Sequence, residues 1–241
     1  MTTLRPEDID AFVFDTGGTV FDWHTGVNDA FLEAGIRTNI QADWPALTKT
    51  WRRLSTNRVK AVTTENDGLM SEDMDFVLRE TLRTTFGEHG VAGLDAETDA
   101  LVRSWRRMPA WPDSREGLAR LRTRYVVASF TILRTSTVIG SSRLSGVEWD
   151  AILSCEMTGV YKTAPASYAN AARFLDLPPN RVVLATTHNN DLSAAYENGF
   201  RTAFIERPNE WADIATPDPV AAPEADWVAR DIVDLAQQLG A

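Results

Sequence analysis

The apolar positions of this chain follow two patterns, and the changes between them divide the sequence into three parts. A short apolar run over 11–14 ends at an acid followed by two glycines, which is typical of a buried strand in a parallel sheet. From about Trp23 to Met108 the apolar residues recur at helical spacing. From Pro109 onwards helical and strand-like segments alternate, which predicts a parallel sheet covered by helices on both faces.

The middle part carries the signals of four helices. They begin near Val27, at Trp44, at Ser71 and at Asp95. Ser71 is predicted to be the N-cap of the third helix because the apolar stripe of that helix starts three residues later, at Met74. Four helices of this length can form a small bundle.

The last part carries the elements of the sheet. The predicted strands lie at 125–130, 151–154, 182–185, 201–205 and 227–229, and the predicted helices at 114–123, 135–144, 165–175, 192–198 and 232–239. The first strand belongs with this part, so the sequence predicts an α/β core of residues 1–22 and 109–241 with an inserted helical cap of residues 23–108. Such a cap closes a cleft above the carboxyl ends of the strands, where open α/β sheets bind ligands.

Composition and charge exclude several classes of protein. The 241 residues suffice for one large domain or a domain with an insertion, and the net charge of −10 argues against nucleic acid and anionic membrane partners. The single cysteine, Cys155, leaves no internal disulfide and no cysteine-based zinc site, and we expect it to be buried. Without a membrane-spanning apolar run or a signal-peptide core, we expect a soluble cytoplasmic protein.

Polar groups follow the predicted strands at four places. Asp15 follows the first strand, Thr131 the second, Lys162 comes after the third and Asp191 after the fourth. A lysine near a carboxylate favours its ionised form, which is the form that acts as a nucleophile. Ordinary structural roles remain open here, since Lys162 could be an exposed lysine and Asp191 could cap a helix that begins at Leu192.

The order and surroundings of these four residues resemble the haloacid dehalogenase superfamily over nearly the whole chain. The resemblance is closest to the L-2-haloacid dehalogenases of type II. It extends to Trp-Arg at 51–52, to Tyr-Lys-x-x-Pro at 161–165 and to Gly-Phe-Arg-Thr-Ala-Phe-x-x-Arg-Pro at 199–208. It implies a Rossmannoid parallel-sheet core with a helical cap, a hydrolase that works through an aspartyl ester, and no cofactor. Dehalogenases of this branch are often dimers, so a homodimer is open.

The resemblance also assigns roles to individual residues. Asp15 matches the nucleophile that forms the ester, Lys162 neutralises the neighbouring carboxylates, and Asp191 orients Lys162 and helps to position water. Arg52 matches an arginine of the cap that contacts the substrate near the leaving group. The substrate-binding candidates are Thr16, Gly17, Arg52, Thr131, Ile132 and Asn190, with Thr19 as support of the Asp15 loop. His188 and Asn190 either line the pocket or lie on the surface.

Two positions depart from the family pattern. Phosphatases of the superfamily carry a second aspartate two residues after the nucleophile, where this chain has Gly17. We therefore expect neither phosphatase activity nor a magnesium site. Dehalogenases usually carry an aromatic residue at that position and, after the second strand, an asparagine that helps to hold the departing halide. Here the second position is Ile132, which cannot donate a hydrogen bond.

These departures leave three functions open, two of them reactions of a small-molecule carboxylate. The preferred hypothesis is hydrolytic opening of L-azetidine-2-carboxylate at its C2–N bond to 2-hydroxy-4-aminobutyrate, an activity of one branch of the superfamily. A ring nitrogen leaves as a protonated amine and therefore needs no hydrogen-bond donor of the kind that holds a halide. The alternative is an (S)-2-haloacid dehalogenase with an altered halide pocket. The third is a non-catalytic binding protein, which the complete set of Asp15, Lys162 and Asp191 argues against.

Overall fold

The computed structural model describes residues 5–241, and within this range six parallel strands form one sheet in the order β3-β2-β1-β4-β5-β6. The strands are β1 Ala11–Phe14, β2 Val126–Thr131, β3 Ala151–Ser154, β4 Val182–Thr186, β5 Arg201–Ile205 and β6 Trp227–Ala229. The helices are α1 Trp23–Thr38, α2 Trp44–Glu65, α3 Met74–Glu88, α4 Thr98–Ser104, α5 Ser114–Leu121, α6 Thr135–Ser145, α7 Pro165–Leu175, α8 Asn189–Glu197 and α9 Ile232–Gln238. The predicted α/β class is confirmed.

Strand β1 lies in the middle of the sheet and is fully buried. Its last residue, Phe14, pairs with Ser129 of β2 on one side and with Ala185 of β4 on the other. From β1 the chain adds β2 and β3 on one side of the sheet, and then β4, β5 and β6 on the other side. The connections that follow β1 and β4 therefore run in opposite directions, which opens a crevice between the carboxyl ends of these two strands. Asp15 is the first residue after β1, and its backbone N–H donates to the Ala185 carbonyl at 3.0 Å. The fold therefore places Asp15 at this crevice.

Helices α1–α4 are inserted between β1 and β2 and have an aromatic core. Phe31 stacks on Trp44 with the ring centroids 6.0 Å apart and meets Trp51 edge-on at 5.6 Å. Trp51 in turn meets Trp105 edge-on at 5.7 Å. The three tryptophans are buried and form the centre of the insertion.

The insertion leaves and re-enters the core at adjacent points. The Asp22 backbone N–H donates to the Pro109 carbonyl at 2.8 Å, and the Asp22 carboxylate caps α1 by accepting from the Thr25 N–H at 3.0 Å. Gly26 packs so closely on this crossing that an added Cβ would lie 2.9 Å from the Met108 Cα. These contacts hold the start of α1 directly beside the Asp15 loop.

Helix α1 begins at Trp23, four residues before the predicted start near Val27. Two further predicted helix starts, both marked by polar side chains, are also wrong. Helix α3 begins at Met74 with Asp73 as its N-cap, whose carboxylate accepts from the Phe76 N–H at 2.8 Å. Ser71 lies two residues before that cap. Helix α8 begins at Asn189, so Asp191 lies inside its first turn and is not an N-cap. Both errors come from local patterns that do not show which of several nearby polar side chains faces the helix end.

Two further features bear on the sequence-based expectations. Cys155 is buried, as predicted, and burial raises the pKa of its thiol to about 12. Each helix in residues 5–241 is too short or too polar to cross a lipid bilayer.

Candidate active site

A tight loop after β1 carries Asp15. The Thr16 carbonyl accepts from the N–H groups of Val20 and Phe21 at 3.0 and 2.9 Å, and the Gly18 N–H donates to the Phe21 carbonyl at 2.9 Å. Gly18 has a φ of +104°, which a residue with a side chain rarely adopts. These bonds close the loop on itself and hold Asp15 at the end of the strand.

Lys162 bridges the two carboxylates predicted from the sequence. Its Nζ lies 2.7 Å from Asp191 Oδ2 and 3.4 Å from Asp15 Oδ1. The Tyr168 hydroxyl donates to Asp191 Oδ1 at 2.7 Å, and the Lys162 ammonium lies 4.5 Å from the centroid of the Phe130 ring. Asp15, Lys162 and Asp191 are buried. The structure therefore brings the three predicted catalytic residues together.

The charges of this group stabilise one another. Burial opposes ionisation of Asp15, but the attraction of Lys162 and hydrogen bonds from His188 and Thr19 hold the pKa of the carboxyl well below its ordinary value. Burial likewise favours a neutral Lys162, but Asp191 and Asp15 raise the pKa of its ammonium. At neutral pH Asp15 is therefore ionised, as a nucleophilic carboxylate must be.

A second cation, His188, faces the other oxygen of Asp15. His188 Nδ1 lies 3.3 Å from Asp15 Oδ2, and its Nε2 lies 3.0 Å from Glu210 Oε1. The Trp23 indole N–H donates to the same Glu210 oxygen at 3.0 Å. Burial disfavours the imidazolium, but Glu210 and Asp15 outweigh it and raise the pKa of His188 to about 10. His188 is thus positively charged at neutral pH while Asp15 is ionised.

Glu210 was missed in the sequence analysis. It lies beyond the end of β5 and is 1% exposed, and a Cβ added to Gly18 would overlap its carboxylate. Gly18 therefore leaves the space that Glu210 occupies. The available signal was an acidic residue shortly after a strand that neighbours β4, but nothing local showed that its side chain turns back towards Asp15.

Thr19 supports the Asp15 carboxylate, as predicted. Its hydroxyl donates to Asp15 Oδ2 at 2.9 Å and accepts from the Thr187 N–H at 3.1 Å. Both functions of this hydroxyl are therefore in use. Because Thr187 follows β4, the contact also ties the Asp15 loop to the neighbouring strand.

Thr16 and Thr131 meet beside Asp15. The Thr16 hydroxyl donates to Thr131 Oγ1 at 2.8 Å, and the Leu133 N–H donates to the same oxygen at 3.1 Å. Both threonines are buried. Since Thr131 Oγ1 accepts two hydrogen bonds, its own hydrogen can be donated to an anion in the crevice.

Arg52 reaches the Asp15 loop from helix α2. Its Nη2 lies 3.4 Å from the Gly17 carbonyl. Its guanidinium carbon lies 5.4 and 5.9 Å from the ring centroids of Trp23 and Trp105, within the range of cation–π attraction. Arg52 is buried. The insertion thus contributes a third positive charge to the crevice.

The three remaining candidates differ in their surroundings. A Cβ added to Gly17 would meet a single side chain, Leu133, at 3.4 Å. Ile132 is half-buried beside Thr131 and packs against the core. Asn190 is exposed in the first turn of α8, and no hydrogen bond within residues 5–241 joins it to the other candidates, so its binding role stays a prediction.

The residues around Asp15 do not suit a magnesium ion. Gly17 supplies no carboxylate, and the ammonium of Lys162 lies between the oxygens of Asp15 and Asp191. Elsewhere in the described chain, no three His, Cys, Asp or Glu side chains form a potential metal site. A lysine therefore neutralises the carboxylates here.

Comparison with known families agrees with this geometry. A family model described as haloacid dehalogenase-like hydrolase matches residues 9–196. The chain belongs to this family. The hydrolase is 27% identical over 206 residues to (S)-2-haloacid dehalogenase 4A of Burkholderia cepacia, and the alignment covers 83% of this chain and 84% of the relative. It is also 27% identical over 210 residues to (S)-2-haloacid dehalogenase of Xanthobacter autotrophicus, with 85% and 78% covered.

Solved structures extend the likeness over the full length. The hydrolase matches the crystal structure of a defluorinating L-2-haloacid dehalogenase with a TM-score of 0.92 and 32% identity, covering 100% of both chains. It matches that of another L-2-haloacid dehalogenase with a TM-score of 0.89 and 31% identity, covering 96% of this chain and 99% of the other. The resemblance noted from the sequence motifs is confirmed.

Proposed function

We propose that this hydrolase is an (S)-2-haloacid dehalogenase, which converts a small 2-halocarboxylate into a 2-hydroxy acid through an ester on Asp15. The observation that carries the proposal is the buried Asp15 carboxylate, with Lys162 at one oxygen and His188 at the other. The relatives and solved structures support this alternative over the ring-opening activity that we preferred from the sequence.

In the first step an oxygen of Asp15 attacks C2 of the substrate. The C2–halogen bond breaks, the halide leaves with its electron pair, and the configuration at C2 inverts. The positive charges of Lys162, His188 and Arg52 offset the charge of the substrate carboxylate and of the leaving halide. We assign the substrate carboxylate to the Thr16 N–H and the Thr131 hydroxyl, and the halide to the side of Arg52.

In the second step water attacks the carbonyl carbon of the ester and a base accepts its proton. The ammonium of Lys162 has no lone pair that could accept a proton, and both oxygens of Asp191 already accept hydrogen bonds, from Lys162 and Tyr168 at 2.7 Å each. Alkylation neutralises Asp15, one of the two anions that raise the pKa of His188, so the imidazolium releases its proton more readily. Neutral His188 then accepts the proton of the water and passes it to the departing alcohol oxygen. Asp15 is regenerated, and the overall reaction releases the halide and one proton.

A second candidate keeps the same nucleophile. The apolar Ile132 beside Thr131 and the missing side chain at Gly17 favour a leaving group that needs no halide donor. Opening of L-azetidine-2-carboxylate at C2–N meets this condition, because the ring nitrogen leaves as a protonated amine.

A set of three turnover assays with added chelator tests the proposal. One reaction contains L-2-chloropropionate and is followed by the release of chloride. A second contains a 2-fluoro acid and is followed by the release of fluoride, because one similar structure is of a defluorinating enzyme. A third contains L-azetidine-2-carboxylate and is followed by the formation of a primary amine. Halide release supports the dehalogenase, and amine without halide replaces it by the ring-opening hydrolase. No product in any reaction overturns both.

A further inference from the structure

The end of helix α2 and the chain that follows it, residues 63–72, lie against the loop that carries Lys162, residues 159–164. The first belongs to the helical insertion and the second to the α/β core, yet their main chains pair like two short antiparallel strands. The main-chain contacts are Tyr161 N–H to the Gly68 carbonyl at 2.8 Å, Met70 N–H to the Gly159 carbonyl at 2.8 Å, and a bridge between Leu69 and Val160.

Two side-chain contacts reinforce this pairing. The single hydrogen of the Thr63 hydroxyl is shared between the Val59 carbonyl at 2.9 Å and the carbonyl of Lys162 itself at 3.3 Å. The hydroxyl of Tyr161, a fully buried residue, donates to the Glu72 carbonyl at 2.8 Å. The residue before Lys162 is thus bonded to the insertion, and the carbonyl of Lys162 contacts it.

The two segments also approach very closely at one point. Gly68 has a φ of +81°, and a Cβ added there would overlap the Cβ of Ala164. Since an overlap with a short, buried side chain has no easy relief, position 68 accepts only glycine if the segments are to stay in contact.

The main-chain hydrogen bonds that the Lys162 loop makes within the core are local. The Gly159 N–H bonds to the Cys155 carbonyl and the Ala164 N–H to the Tyr161 carbonyl, both within the same stretch of chain. The side chain of Lys162 bonds to Asp15 and Asp191. Among the residues described, no strand bonds to the main chain at Tyr161 or Lys162, and the core contact of the Lys162 N–H is with the thiol of Cys155, just after β3.

We propose that residues 63–72 of the insertion position Lys162, so that the lysine faces Asp15 correctly only while the insertion is docked on the core. A displacement of about 1 Å at a catalytic group can lower a rate by about 100-fold. The contact between Lys162 and Asp15 is already 3.4 Å long, so it has little tolerance for such a shift. Thr63 and Gly68 are positioning residues, because they act through Lys162.

Two adjacent threonines provide a matched test. Both hydroxyls bond to the carbonyl four residues earlier in α2, but Thr63 also contacts Lys162, whereas Thr64 is exposed and contacts Lys60 alone. Thr63→Val should lower kcat about 2- to 3-fold with KM nearly unchanged, the lower end of the effect of one hydrogen bond, because Thr63 shares its hydrogen with the Val59 carbonyl. It should also move the acidic limb of kcat/KM to higher pH, because a displaced Lys162 stabilises ionised Asp15 less. Thr64→Val should leave both unchanged.

A glycine series provides the second test. Gly68→Ala should lower kcat by about 10- to 100-fold, and adding Ala164→Gly should restore most of it by removing the overlapping Cβ. Gly90→Ala is the control for backbone strain, since Gly90 has a φ of +63° and open space around it; it should keep wild-type kcat. If Gly68→Ala does not fold, the kcat and the pH dependence of Thr63→Val test the positioning role by themselves.

Amide hydrogen exchange separates this proposal from the proposed function. Exchange at the Tyr161 N–H should be faster in Thr63→Val and in Gly68→Ala than in wild type, with no substrate present. If the wild type released no halide, the proposed dehalogenase function would be wrong, but the exchange result would still test the positioning of Lys162. The positioning role would be overturned if Thr63→Val kept the wild-type exchange rate at the Tyr161 N–H and the wild-type pH dependence of kcat/KM. Equal losses of kcat in Gly68→Ala and Gly90→Ala would also overturn it.

Discussion

At the scale of single residues, the two oxygens of Asp15 have different partners. Oδ1 faces the ammonium of Lys162, whereas Oδ2 receives the Thr19 hydroxyl and faces His188. The carboxylate therefore stays ionised although it is buried, because two cations and one hydroxyl replace the water it has lost.

Asp15→Asn should abolish turnover, because the amide is neutral and a weak nucleophile. We expect a loss of at least about 10⁴-fold in kcat, in the range seen when a catalytic nucleophile is removed. Halide or amine release measures it, and the fold is checked by circular dichroism. Turnover near the wild-type rate in a folded Asp15→Asn protein would rule out the ester mechanism.

His188→Gln should separate the two chemical steps. Lys162 still holds Asp15 ionised, so the ester forms, but no base accepts the proton of the attacking water. We expect about one halide per enzyme molecule and a protein heavier by the substrate without its halogen, both measured after rapid mixing. His89→Gln is the control, since His89 contacts Thr50 within the insertion. Steady turnover by His188→Gln without accumulated ester would remove His188 from the second step.

At the scale of secondary structure, polar side chains near helix starts were harder to interpret than the apolar stripes. The strands Ala151–Ser154 and Arg201–Ile205 and the helix Pro165–Leu175 agree with their predicted ranges, because apolar period and flanking turn residues coincide there. At the start of α3, Ser71 and Asp73 were both suitable caps by residue type, and the backbone direction decided between them.

Asp73→Ala should destabilise the protein by about 1 kcal/mol, because the Phe76 N–H loses its partner. Asp73→Asn should retain most of the stability, since asparagine also caps helices. Ser71→Ala should change the free energy of unfolding by less than about 0.5 kcal/mol. Urea unfolding of the three variants measures these differences; an equal loss for Ser71→Ala and Asp73→Ala would contradict the assigned cap.

At the scale of the whole molecule, distant segments supply one charge cluster. Asp15 follows β1, His188 follows β4, and Glu210 comes from the loop after β5, and the strand order β1-β4-β5 makes these three ends neighbours. Arg52 joins them from the insertion. The stability of the molecule is therefore linked to the protonation of His188.

This linkage has a definite sign. The pKa of His188 rises from an ordinary 6.5 to about 10 in the folded protein, so its contribution to stability is fully present below pH 6.5 and is lost as the pH rises through about 10. The groups that face it are Asp15 and Glu210, with Arg52 near Glu210 and Lys162 near Asp15. The unfolding free energy of wild type minus that of His188→Gln should therefore decrease between pH 6.5 and 10. A constant difference across this window would contradict the raised pKa.

The sequence alone determined the class of the fold and the three central residues of the site. Parallel strands of buried, apolar residues can be recognised from the local sequence. Asp15, Lys162 and Asp191 each follow a strand or its connection, so the shared edge of the sheet brings them together. The tertiary structure alone decided the partners that approach from elsewhere. Glu210 fills the space beside Gly18, His188 turns to Asp15, and residues 63–72 bond to the Lys162 loop, because side-chain direction and the docking of one segment on another depend on the packing of the complete chain and leave no local pattern.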